Sequence, residues 1–135
     1  MIMWLASYPK SGNTWIRALL TNYLYNENYE ENAFSKLNMI KSFPQEYAFK
    51  GLVDEKELQK NYMILFKYFI EAQEKINRDK NLHIIKTHNI CGSVNNFEFT
   101  NKDNTMGSIY ILRDPRSVAV SYAYHANISF EKSVE

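Results

Sequence analysis

The chain is poor in the features that mark secreted, membrane and metal proteins. Cys91 is the only cysteine among 135 residues, so no internal disulfide can form, and a reducing compartment fits. No apolar run approaches the roughly 20 residues needed to span a bilayer. The start, Met1-Ile2-Met3-Trp4-Leu5-Ala6, lacks the basic stretch that opens a secretory signal. Charge of one sign is also lacking: 16 Lys and Arg face 15 Asp and Glu, a formal net charge of +1. There is thus no overall basic field to hold a nucleic-acid backbone, and any anion must be bound locally by a few placed groups. No Cys/His cluster or paired carboxylate suggests a metal site. No repeat, linker or low-complexity tract divides the chain. These absences point to a soluble, cytoplasmic, single-domain protein with no membrane and no nucleic-acid partner.

What is present is ordinary globular composition, 45% hydrophobic and 23% charged, enough to bury a core. Ile2 to Ser7 reads as a short buried strand. Asn13 to about Tyr25 reads as a helix with Trp15, Ile16, Leu19, Leu20 and Tyr23 toward the core. Asn26 to Lys50 reads as polar loop, with a short helix near Phe34 to Ile40. Asp54 to about Arg78 reads as the clearest helix. Asp54 and Glu57 have capping-box spacing, and Leu58, Tyr62, Leu65, Phe66, Phe69, Ala72 and Ile76 form one apolar stripe. His83 to Thr87 is a second strand, and Phe97 to Phe99 a short one within a loop. Ser108 to Leu112 is a third main strand, apolar enough for a sheet interior. Pro115 then opens a last helix as its first residue. This alternation predicts an α/β layered fold with a mainly parallel central sheet flanked by helices.

The stretch from Trp4 to Arg17 carries the strongest local signal. An apolar strand ends in a tight polar loop, Tyr8-Pro9-Lys10-Ser11-Gly12, that runs directly into a helix. The first N–H groups of a helix lack intrahelical acceptors, and the helix dipole adds positive potential there. Lys10 adds a mobile cation, Ser11 and Thr14 add hydroxyls, and Gly12 lets the backbone approach a ligand closely. The loop is not the Walker A pattern, because Lys10 precedes its only glycine. Ligands of parallel sheets bind beyond the carboxyl ends of the strands. Applied to the three main strands, that rule gathers Lys10, Ser11 and Thr14 after the first, Lys86 and His88 after the second, and Arg113 after the third. Arg113, beside Asp114, either forks onto a phosphate or pairs with its neighbour.

The order Tyr8-Pro9-Lys10-Ser11-Gly12-x-Thr14-Trp15 resembles the 5′-phosphosulfate loop of sulfotransferases that use the donor PAPS (3′-phosphoadenosine 5′-phosphosulfate). Ile109 to Tyr122, containing Arg113-Asp114-Pro115 and Ser121, resembles the second signature of that family. Lys86-Thr87-His88 resembles the triplet of its cytosolic, small-molecule members. The resemblance implies a P-loop-NTPase-like fold. It also implies that Lys10, Ser11, Gly12, Asn13 and Thr14 hold the 5′ side of PAPS, that Trp15 stacks on adenine, and that Arg113 and Ser121 hold the 3′-phosphate. Lys10 suits the bridging oxygen and Lys86 a sulfonate oxygen. His88 is the candidate general base toward a hydroxyl or amine of a small-molecule acceptor, and no metal is required. His83 and His125 are read as structural.

The chain departs from the family pattern in two ways. Asn13 stands where the family commonly has Thr. The resemblance spans residues 1–135 but covers only about the first half of a usual domain, and nothing matches the late Arg-Lys-Gly loop. The domain is therefore expected to be incomplete at its C-terminal side, leaving apolar surface for a second copy or a partner chain to cover. Two other functions stay open: a non-catalytic PAPS-binding module, and a P-loop-type phosphotransferase. The acceptor walls are expected from the loops of residues 26–50 and 89–105 and from the C-terminal part that the resemblance lacks; Tyr29, Phe34, Phe43 and Tyr47 either line them or pack in the core.

Overall fold

The computed structural model describes residues 1–25, 32, 34–54, 56, 58 and 61–134. Glu57 and Tyr29 lie outside the described residues. Strand β1 (Ile2–Ser7) occupies the whole first apolar run. It pairs in parallel with β3 (His83–Thr87) on one side and β6 (Thr105–Ile111) on the other. A two-residue strand, β2 (Ser42–Phe43), pairs in parallel with the end of β3, giving the order β2-β3-β1-β6. Strands β4 (Ser93–Val94) and β5 (Phe97–Glu98) form a separate small hairpin. In register, Ala6 lies opposite Thr87 and Ser7 opposite Ile111. The three long strands therefore end side by side, and the residues that follow them emerge at one edge of the sheet.

The core is aromatic and lies on one face of the sheet. Trp4, Phe43, Phe49, Phe69 and Phe99 are buried and pack ring on ring, with centroids 4.9–6.0 Å apart. Such pairs add about 0.5–1.5 kcal/mol each beyond burial of area. The Trp4 indole N–H donates to Thr105 Oγ1 at 2.9 Å, tying the middle strand to the start of β6. Buried Gln73 donates to the Phe99 carbonyl at 2.6 Å and accepts from the Thr100 hydroxyl at 2.5 Å, so its amide costs little to bury. Phe43 is thus a core residue, not an acceptor wall. Tyr47 lies beneath the Lys41 ammonium at 4.7 Å, and burial pushes its phenol up to about 12.

Three expectations need correction. The third main strand begins earlier, at Thr105, and lies at the sheet edge rather than in its interior. Its apolar residues are correspondingly open, with Tyr110 61% and the following Leu112 76% exposed. Helix α1 (Asn13–Tyr25) has the predicted span but a different buried face. It packs its small side, Asn13, Ala18 and Thr21, and leaves Trp15, Leu19 and Tyr23 exposed. Thr21 can be buried because its hydroxyl donates back to the Arg17 carbonyl at 2.8 Å. The long helix from Asp54 to Arg78 is interrupted. Asn61 is extended and its side chain accepts from the Met63 N–H at 3.0 Å, a local bond that competes with helix. A 3₁₀ segment (Tyr62–Tyr68) follows, then an α-helix (Phe69–Asn77). Leu65, Phe69 and Ala72 of the stripe are buried, whereas Tyr62 is exposed. The short helix near Phe34 to Ile40 is a 3₁₀ turn, Leu37–Met39. A last pair of helices, Pro115–Ala126 and Phe130–Val134, closes the described fold. No helix among the described residues is long and apolar enough to cross a membrane.

Candidate functional site

The loop after β1 is a bent, constrained corner. Lys10 has φ 67° and Gly12 has φ 109°. The left-handed region costs a residue with a Cβ about 1–2 kcal/mol, so Lys10 is held there by its surroundings. The Ser11 N–H donates to the Tyr8 carbonyl at 3.2 Å, and the N–H groups of Trp15 and Ile16 donate to the Gly12 carbonyl at 3.0 and 3.2 Å. These bonds leave the amides of Gly12, Asn13 and Thr14 outside the loop's own backbone bonding, at the start of α1. Alternating backbone handedness of this kind makes an anion-binding concavity.

Arg113, 103 residues downstream of Lys10, closes the corner from the end of β6. Its Nη1 donates to the Lys10 carbonyl at 3.1 Å. Asp114 does not take Arg113. Its carboxylate caps the last long helix through the Arg116 N–H and pairs with the Arg116 guanidinium at 2.8 Å, which lowers the Asp114 pKa. From the end of β3 comes Lys86, half-buried, its pKa lowered first by desolvation and then by the charge of Arg17. Among the described residues neither Lys10 nor Lys86 forms an ion pair.

His88 follows β3 and leans on the end of β1. Its Nδ1 lies 2.8 Å from the Ser7 carbonyl oxygen and 3.2 Å from Ser7 Oγ. A carbonyl only accepts, so Nδ1 carries the hydrogen and Nε2 of the neutral ring keeps its lone pair. Desolvation lowers the pKa of this ring, the bond to Ser7 raises it, and Lys86 lowers it further; the net shift is downward.

One cavity of about 570 Å³ gathers these groups. Lys10, Gly12, Asn13, Thr14, Trp15, Lys86, His88, Arg113 and Ser121 all line it, and among the described residues no Asp or Glu does. Ser11 is the predicted site residue outside this wall: it is buried and borders an adjoining apolar cleft with Tyr8 and Leu112. The side-chain amide of Asn13 turns inward and donates to the Leu5 carbonyl and to Ser7 Oγ, both at 3.1 Å. Trp15 meets Phe34 edge-on at 5.5 Å. A second, mainly apolar cavity of about 680 Å³ adjoins, lined by Trp4, Tyr8, Ile90, Phe99 and Tyr110, and His88 belongs to both walls.

Sequence reasoning missed two residues here. His125 also lines the cation-rich cavity. Its position four residues after Ser121, hence on the same helix face, was the available signal. Arg17 donates through Nη2 to the carbonyls of Leu37 and Ile40 at 2.7 and 2.9 Å, fastening the 3₁₀ turn to α1. Nothing local in the sequence announces that contact.

A parallel sheet with a glycine-bearing loop closing onto a helix, and cations at adjacent strand ends, defines an α/β domain of P-loop-like layout. Residues 2–134 match the family model described as Sulfotransferase domain, and the chain belongs to that family. It is accordingly a transferase of the sulfotransferase type. No curated protein and no solved structure matches the chain at a significant level.

Proposed function

We propose that this chain transfers a sulfuryl group from PAPS to a hydroxyl or amine of a small molecule, with His88 as general base. The observation that carries the reading is one cavity that unites Lys10, Lys86, His88, Arg113 and the start of α1, with no carboxylate among its described lining residues. Its donor set suits a ligand with separated anionic groups. PAPS supplies a sulfuryl group on an activated phosphate. Backbone N–H groups of Gly12 to Thr14 face the 5′ side, Arg113 and Ser121 the 3′-phosphate, and Trp15 the adenine. Lys86 neutralises a sulfonate oxygen. The acceptor enters through the apolar cavity that shares His88. As the acceptor atom bonds to sulfur, Nε2 of His88 takes its proton. Lys10 stabilises the negative charge that gathers on the departing bridging oxygen.

Among the described residues no carboxylate lines the cavity, which disfavours the phosphotransferase reading, since that reading needs an acid to hold Mg²⁺ there. Turnover with a panel of phenols, alcohols and amines, each offered PAPS or Mg-ATP, tests the choice. Product gaining a sulfuryl group from PAPS alone is expected; phosphorylated product would overturn the reading. A non-catalytic role keeps one specific support, the apolar edge at β6, where Ile109, Tyr110 and Leu112 are exposed. On that reading PAP, the desulfated donor, binds, but transfer requires a second copy or a partner chain to cover the edge.

A further inference from the structure

We infer that Asn13 and Ser7 are positioning residues for His88, so that the first residue of the donor-loop helix holds the base through the last residue of β1. The inference rests on the reading of His88 as the base. Three separate segments meet here. The Asn13 amide, 5% exposed, is pinned by the Leu5 carbonyl and donates its other bond to the Ser7 hydroxyl at 3.1 Å. Ser7, 4% exposed, offers His88 Nδ1 both its carbonyl at 2.8 Å and its Oγ at 3.2 Å.

The chemistry gives this arrangement a purpose. An imidazole can take a proton at Nε2 only if its hydrogen sits on Nδ1. The Ser7 carbonyl can only accept, so it selects that tautomer and its dipole stabilises the imidazolium formed when the proton arrives, while the Ser7 hydroxyl, held by Asn13, keeps the ring against that carbonyl. Ser7 ends its strand, so the sheet alone restrains it weakly. Asn13 supplies the missing restraint from the donor loop. A Thr, which the family commonly carries at this position, has no N–H donors to place between Leu5 and Ser7.

The test uses the full chain with ¹⁵N-labelled histidine. Long-range ¹H–¹⁵N correlation reports which His88 nitrogen bears the hydrogen, and His88→Gln assigns the signals. Wild type is expected in the Nδ1–H form. In Ser7→Ala the Nε2–H form should gain about fivefold in relative population, the scale of one lost hydrogen bond. The turnover number should fall by a similar factor while PAP affinity stays within about twofold. Ser7→Thr, which keeps the hydroxyl, should recover most of the loss. Asn13→Ala, which removes both amide bonds but leaves both Ser7 oxygens, should shift the tautomer ratio in the same direction by no more than Ser7→Ala does. An unchanged tautomer ratio in both alanine variants would overturn the inference. So would a loss of PAP affinity in Ser7→Ala that matches its loss of turnover, since that outcome means Ser7 merely builds the donor loop. If wild type holds the Nδ1–H form but transfers nothing from PAPS, the general-base reading fails, and the tautomer ratios still decide whether Ser7 and Asn13 hold the ring.

Discussion

Replacing Arg113 separates two contributions that the structure assigns to one side chain. Its guanidinium donates to the Lys10 carbonyl at 3.1 Å, which helps keep Lys10 at φ 67°. It also lines the cavity together with Ser121, where the 3′-phosphate of the donor is proposed to sit. A hydrogen bond involving a charged group contributes about 1.5–3 kcal/mol, so losing the phosphate contact weakens binding by about 10- to 150-fold. Losing the loop contact, between an exposed donor and a neutral carbonyl, costs less, about 0.5–1.5 kcal/mol. Calorimetric titration of wild type and Arg113→Ala with PAP and with AMP, which lacks the 3′-phosphate, resolves the two. The loop effect weakens both ligands about equally. The phosphate effect weakens PAP alone, so the wild-type preference for PAP over AMP should shrink by at least about tenfold in the variant. A variant that loses affinity equally for both ligands would refute a 3′-phosphate role for Arg113.

Other consequences are open to simpler tests. His88→Ala should abolish transfer from PAPS while PAP binding, followed by calorimetry, changes little. Burial and Lys86 depress the His88 pKa, so the neutral, proton-accepting ring persists to lower pH than in a free histidine. The rate at low substrate concentration should therefore rise with pH and reach half its plateau below pH 6.5, the ordinary histidine value; a midpoint above it would contradict the assignment. Phe69→Ala removes a ring that is 2% exposed and touches Phe43, Phe49, Phe66 and Phe99. Urea unfolding should show a loss of about 3–5 kcal/mol. Tyr110→Lys at the open edge of β6 should leave PAP binding intact and, if that edge pairs with a second copy, convert a dimer to a monomer in analytical ultracentrifugation.

The parts of the fold that local chemistry dictates were legible in the sequence. Ile2 to Ser7 is an apolar run that gives way to a polar loop, His83 to Thr87 carries the β-branched pair Ile84-Ile85, and Pro115 marks a helix start that needs no donor. The strand ends then brought Lys10, Lys86, His88 and Arg113 to one edge because parallel strands all finish on the same side of a sheet. What escaped was set by tertiary contact. Ser42–Phe43 is too short to show a period, and it is a strand only because β3 pairs with it. The edge position of β6 depends on which strand neighbours which, and apolar content does not decide that. Asn61 looked like helix interior until its side chain was seen capping the next turn. The turn of α1 that exposes Trp15 and buries Asn13 reflects close packing of its small residues, a choice among faces that an apolar stripe wider than one face leaves undecided.

The most direct measurement is calorimetric titration of PAP into wild type and into Lys10→Ala. A cavity built from Lys10, the start of α1, Lys86 and Arg113 predicts clear one-to-one binding to wild type and a loss of about tenfold or more in the variant. Equal affinity of the two proteins for PAP would contradict it.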